Sequence, residues 1–263
     1  MPPLLVAALA VSVTMISTWA VSLLRRDASV VDVAWGLGFA VLAWAVAATA
    51  GAEGARTALL LAMVSAWGLR LAVHLGRRNL REGEDRRYRE MRARTPRFAL
   101  VSLATVFALQ GVAMWTVALP VTLALGHNGG EPLGLLALAG AALWGIGVTF
   151  EATADAQLAR FRRDPANAGG VMDRGLWRYS RHPNYFGDAC TWWGIGLVAI
   201  EADAGAYAWA LVGPLLMTAL LLRVSGVPLL ESHLRTSRPG YEAYVRRTSA
   251  FFPLPPKRDA PSG

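Results

Sequence analysis

The apolar positions of this chain are gathered into long blocks and do not alternate at the period of a strand or a surface helix. Residues 3–24, "PLLVAALAVSVTMISTWAVSLL", carry no charged group, and similar blocks recur at about 30–50, 57–76, 99–125, 133–155, 185–200 and 207–224. An α-helix needs ~20 apolar residues to cross a hydrocarbon layer of ~30 Å. The pattern therefore predicts an all-α fold, a polytopic membrane bundle of about seven transmembrane helices. No basic residue precedes the first block, and no small-residue cleavage site follows it. It reads as a retained helix, not as a signal peptide.

Composition agrees with this, since 54% of the 263 residues are hydrophobic and 17% charged. The net charge of +8 changes the picture only through its distribution. Arg25 and Arg26 follow the first block, and nine arginines from Arg77 to Arg97 follow the third. Arg160, Arg162, Arg163, Arg174, Arg178 and Arg181 lie between the fifth and sixth, and a further basic group runs from Arg223 to Arg258. The opposite ends of the blocks carry only Arg56. Basic loops stay in the cytoplasm, so the amino terminus is expected outside and the carboxyl terminus inside, in a cell inner membrane or plasma membrane. Basic residues placed by span ends argue against nucleic acid as a partner and for the bilayer. Cys190 stands alone and the four histidines lack ligand spacing, so neither a disulfide framework nor a metal centre is expected. One integral domain is expected over 1–252, with a tail, "PLPPKRDAPSG" at 253–263, read as disordered.

Ionisable groups inside a span are costly and usually mark function. Asp32 opens the second block. Arg70 and His74 lie four apart in the third, on one helix face, and Glu151 and Asp155 close the fifth with the same spacing. Asp188 begins the sixth block, and Arg223 closes the seventh with Glu231 beyond it. Past Asp155 the segment "DAQLARFRRD" puts Leu158, Ala159 and Arg162 on the Asp155 face, carrying a helix beyond the lipid with a carboxylate and a guanidinium on one side. Guanidinium suits bidentate phosphate binding. In "LWRYSRHPNYFGD", residues 176–188, Pro183 breaks any preceding helix and Asn184 stands near a helix start, free to cap amides or bind a ligand. Each has a plainer reading: arginines at span ends anchor the helix, Asp32 caps the second span, and Arg70 makes a structural ion pair. The glycine pairs Gly36/Gly38, Gly145/Gly147 and Gly194/Gly196 lack a third glycine and a preceding strand. Close helix packing explains them better than a dinucleotide fingerprint.

"GLWRYSRHPNYFGD" followed by "WWGIGL" resembles the carboxyl-terminal signature of the steroid 5-alpha-reductase family, in its bacterial multi-pass branch, over about 133–252. "DVAWGLGF", "WGLRLAVHLGRRNLREGEDRRY" and "SGVPLLESHLRTSRPGYEAYVRRTSAFFP" extend the likeness over nearly the whole chain. The resemblance implies a seven-helix bundle that binds NADPH from the cytoplasm. It implies an oxidoreductase acting on CH–CH groups, 3-oxo-5-alpha-steroid 4-dehydrogenase-like, whose substrate is lipid-soluble. It places the cofactor on Asp155, Arg162, Arg181, Asn184, Asp188 and Arg223, and on Tyr179, His182, Tyr185 and Glu231 of the same motifs. It puts the carbonyl-polarising carboxylate on Asp32. The family's third-helix tyrosine falls on Trp67, so Arg70 or His74 is the expected partner of Asp32. "RHPNYFG" and the Glu-containing tail also resemble the isoprenylcysteine and phospholipid methyltransferases, which implies S-adenosylmethionine as the alternative cofactor. A non-enzymatic lipid-binding protein on the same scaffold is the third reading.

Overall fold

The computed structural model describes residues 1–127, 132–201, 211–224 and 227–257, without the side chains of residues 224, 227–230 and 233. The chain is 80% helical, with no strands among the described residues, and is a polytopic helical membrane protein. Helices α1 (Pro3–Arg25), α2 (Val30–Ala50), α3 (Ala55–Glu82), α5 (Phe98–Val117) and α7 (Leu135–Arg163) are long and apolar enough to span a bilayer. The sixth and seventh blocks become α8 (Pro183–Ile200) and the shorter α9 (Val212–Ala219), which a π turn extends through Leu220–Val224. Residues 207–210 of the seventh block lie outside the described residues. Short helices α4 (Arg86–Arg94), α6 (Leu119–Gly126), α10 (Val227–Ser237) and α11 (Tyr241–Arg247) complete the chain.

The arginine-rich stretch read as a loop is mostly helical. Helix α3 runs through it to Glu82, Gly83 turns the chain at φ 70°, and Asp85 caps α4 by accepting from Arg87 N at 3.0 Å. The fourth block is broken at Ala118, two residues before Pro120, whose missing amide cannot continue the ladder of α5.

The described chain divides into two compact units. Unit one comprises Met1–Ala141 and Ile195–Gly213, and unit two comprises Ala142–Gly194 and Pro214–Gly263. In unit one, α2 packs against α3 and α1. A Cβ on Gly36 would stand 2.4 Å from the Gly68 carbonyl oxygen, and one on Gly68 would stand 2.3 Å from that of Gly36. Trp67 follows into the core, fully buried, edge-on to Phe39, which in turn meets Trp35. Trp67 is thus a packing residue. In unit two, α7 and α8 cross at Gly147 and Gly187, where an added Cβ on either would lie 2.5 Å from the other's carbonyl oxygen. In hydrocarbon, helices gain nothing by excluding water from one another, and close backbone approach at small residues supplies the contact. The packing reading of the paired glycines holds at Gly36 and Gly147. Gly145 has nothing within 4 Å and takes no part.

Gly145 and Gly147 are therefore an internal control for one another. Gly147→Ala is expected to destabilise unit two by about 1–3 kcal/mol through overpacking. Gly145→Ala, entering open space in a helix, leaves it unchanged or more stable by up to about 1 kcal/mol. Thermal unfolding in detergent, followed by circular dichroism, reads both.

Candidate functional site

Both units carry polar clusters. In unit one a cluster gathers around Asp32, in the first turn of α2 and one turn before the Gly36 crossing. Asp32 Oδ1 accepts from Tyr88 Oη at 2.8 Å, and Oδ2 accepts from Arg87 Nη2 at 3.0 Å. Arg78 lies 3.7 Å from Oδ2. Behind the phenol, Gln110 Nε2 of α5 donates to Tyr88 Oη at 3.1 Å, which commits the Tyr88 proton to Asp32. Gln110 stands two residues beyond a π segment in α5, Leu103–Ala108, a distortion that re-aims side chains and is common at functional sites. Tyr88 is buried, and burial together with the Asp32 carboxylate pushes its phenol well above the ordinary value. It therefore stays protonated, a donor at every physiological pH.

Arg70 and His74, the residues expected beside Asp32, lie on α3, and the hydrogen bonds and ion pair to Asp32 described above come from Tyr88, Arg87 and Arg78. At 100° per residue Arg70 stands about 200° round α3 from Gly68, turned away from the face that meets α2. Both remain half-buried on α3. Tyr88, Arg87 and Arg78 take their place, from the segment whose helical character block hydropathy conceals. The missed phenol was visible as the last residue of "GEDRRY", but its α4 address was not.

In unit two, α7 continues unbroken through Arg163, so Asp155 and Arg162 share a helix face as the spacing predicts. Helix α8 begins at Pro183 with Asn184 in its first turn. The Asn184 amide donates to Asp155 Oδ1 at 3.2 Å, so it reaches across to α7. Asp188 follows four residues on, on the Asn184 face. In the same unit Arg162, Arg174, Arg178 and Tyr179 are exposed, as is Arg223 in the π turn after α9. None of these four guanidiniums makes an ion pair among the described residues.

Arg181, His182 and Glu231, expected at a cofactor, satisfy one another and close a clasp. Arg181 Nε donates to Glu231 Oε1 at 2.7 Å, and its Nη1 donates to the carbonyls of Thr248 at 2.6 Å and Val245 at 3.3 Å. His182, only 1% exposed, places Nε2 3.1 Å from the same carboxylate oxygen and stacks on Tyr185. Burial depresses the His182 pKa, so its ring is neutral and Nε2–H is the donor; the buried Nδ1, which has no hydrogen-bond partner, then carries only a lone pair. Burial alone would raise the Glu231 carboxyl, yet hydrogen bonds from His182 and Arg181 and the Arg181 charge outweigh it and hold it at about 2.

The segment after α11 completes the clasp. Ser180 Oγ donates to the Phe251 carbonyl at 2.8 Å, Tyr244 Oη donates to the Trp177 carbonyl, and Arg247 pairs with Asp173. Beyond Phe252, where a disordered tail is expected, Leu254 N donates to Tyr179 O at 3.0 Å and Lys257 N to Arg247 O at 2.8 Å. Residues 258–263 of that tail lie outside the described residues.

Membrane-spanning helices, close glycine crossings and polar clusters describe a multi-pass helical membrane protein. The chain belongs to the DUF1295 family, described as a protein of unknown function, whose profile matches residues 18–248. No curated protein matches the chain, and no solved structure does.

The clasp makes a prediction in pH. The Glu231 carboxyl binds its proton more weakly folded than unfolded, so its stabilisation is present above the unfolded value of ~4.3 and is lost as pH falls toward about 2. Glu231→Gln leaves the Arg181 charge without its carboxylate and is expected to cost about 3 kcal/mol at neutral pH. Thermal midpoints measured from pH 7 to pH 2 should fall for the wild type between 4 and 2, with the variant lower throughout and flatter in that window.

Proposed function

We propose that the chain is a membrane-embedded, NADPH-dependent reductase of an activated carbon–carbon double bond in a lipid-soluble substrate. The observation that carries this reading is the set of exposed guanidiniums of Arg162, Arg174, Arg178 and Arg223, which make no ion pair among the described residues, in the unit that holds the Asp155–Asn184 pair. A phosphate-bearing dinucleotide requires such donors, whereas S-adenosylmethionine has no phosphate for them to bind. The family's steroid 5-alpha-reductase-like character supports it further. The basic helix ends are assigned to the cytoplasmic face, where NADPH is dissolved, with the amino terminus outside.

In this reading Arg162 and Arg223, with Arg174 and Arg178, hold phosphates, and Asn184, fixed by Asp155, orients the cofactor amide beside Asp188. Tyr179 offers an exposed ring for stacking. Arg181, His182 and Glu231 shape the site from behind and do not touch phosphate. When bound, NADPH supplies the hydride. The chain's own task is charge and proton: the proton shared by Tyr88 Oη and Asp32 Oδ1 is the one offered to a substrate oxygen on which negative charge develops. Arg87 and Arg78 hold the remaining carboxylate charge in place.

Thermal stabilisation of the detergent-purified protein tests the cofactor. NADPH is expected to raise the midpoint with concentration, and Arg162→Ala or Asn184→Ala to abolish the rise. Stabilisation by S-adenosylmethionine alone would sink the reductase and favour a methyltransferase; no response to either favours a lipid-binding protein without catalysis. A second expectation concerns the phenol. Tyr88→Phe should lower turnover of an enone lipid by about 10²–10⁴-fold while leaving NADPH stabilisation intact. Equal loss of both would make Tyr88 a structural residue.

A further inference from the structure

At the Asp32 end of unit one, acidic and basic groups are sorted by depth. Asp27 accepts from Ser29, Glu84 binds Arg92 at 2.7 Å and caps Ala28 N at 2.8 Å, and Asp85 binds Arg87 at 3.0 Å. Glu90 is taken by Arg86 at 2.5 Å. Glu82 aside, the carboxylates of this end are spent on neighbouring groups. Arg25, Arg26, Arg81, Arg89, Arg94 and Arg97 are left exposed, and no ion pair among the described residues involves their guanidiniums. The arginines continue an apolar surface, since Leu24, Leu80 and Leu100 beside them are 86%, 79% and 65% exposed.

The backbone supports the same reading. Arg26 at the end of α1 and Arg97 at the start of α5 have φ 52° and 53°, the only positive values among described residues other than glycine. A left-handed residue with a side chain costs about 1 kcal/mol or more, and glycine is the ordinary solution. The two corners belong to helices tied together by Trp19 Nε1, which donates to the Ala99 carbonyl at 2.8 Å. Arginine thus stands at both exposed corners in spite of its backbone cost.

We infer that this rim binds anionic phospholipid headgroups: exposed guanidiniums bordering exposed leucines match a negatively charged phosphodiester whose acyl chains continue along the helices. The assignment is independent of the reaction proposed above. Basic residues near such a surface contribute about fivefold each in affinity.

Native mass spectrometry of the detergent-purified full chain, equilibrated with equal phosphatidylglycerol and phosphatidylcholine, tests it. Wild type is expected to retain phosphatidylglycerol preferentially, and R89Q/R94Q/R97Q to reduce that preference by at least about tenfold with helical content and thermal midpoint unchanged. Should the triple variant unfold, R25Q/R26Q addresses the other corner with the same expectation. Equal retention of the two lipids by wild type, or an unaltered preference in the folded variants, overturns the proposal. Displacement of phosphatidylglycerol by inorganic phosphate at constant ionic strength also overturns it, since the rim would then be a site for soluble phosphate.

Discussion

Two places where backbone touches backbone govern this molecule. A helix pair in hydrocarbon has no water to expel, so its crossing must be fixed by atoms that fit only at one register. Gly36 against Gly68 does this in unit one and Gly147 against Gly187 in unit two, each contact too close to admit a methyl group. Asp32 lies one turn from the first crossing. Asn184 and Asp155 flank the second on facing helices, at hydrogen-bond distance. Both polar clusters inherit their geometry from contacts that carry no chemistry themselves.

The charged groups divide into two populations with different energetics. Arg181, Arg78, Arg87 and Arg92 are matched to carboxylates close to the protein interior, where an unmatched charge is expensive and geometry must be good. Arg181 shows why guanidinium is used: it serves Glu231 and two backbone carbonyls at once, which a lysine ammonium could not do in the same plane. Arg162, Arg174, Arg178 and Arg223 in one unit, and Arg25, Arg26, Arg81, Arg89, Arg94 and Arg97 in the other, are exposed and make no ion pair among the described residues.

Most of the fold is legible in the sequence because apolar block length is a strong signal and because nothing in lipid competes with helix for the backbone. Asp155, Arg162 and Asn184 were legible too, since a helical period and a Pro183 boundary suffice to align them. The Asp32 partners were not. Arg70 stands about 200° round α3 from Gly68, a placement that appears only once the Gly36–Gly68 contact fixes the rotation of α3. Tyr88 belongs to a stretch so rich in arginine that its one buried ring leaves no periodic trace. Arg181, His182 and Glu231 illustrate a different limit: motif residues can be named correctly as a group while their partners, fifty residues apart, decide whether they meet a ligand or one another.

That separation bears on how the protein is made. Arg181 and His182 leave the ribosome well before Glu231, and Thr248 later still, so α8 must be inserted while its arginine lacks every partner it will have in the fold. Chains emerge amino terminus first at a finite rate, which leaves this guanidinium waiting at the membrane surface for seconds. The clasp then makes biogenesis itself a checkpoint: any change that delays or weakens α10 and α11 exposes a charged helix start to the quality-control machinery before the molecule is ever asked to work.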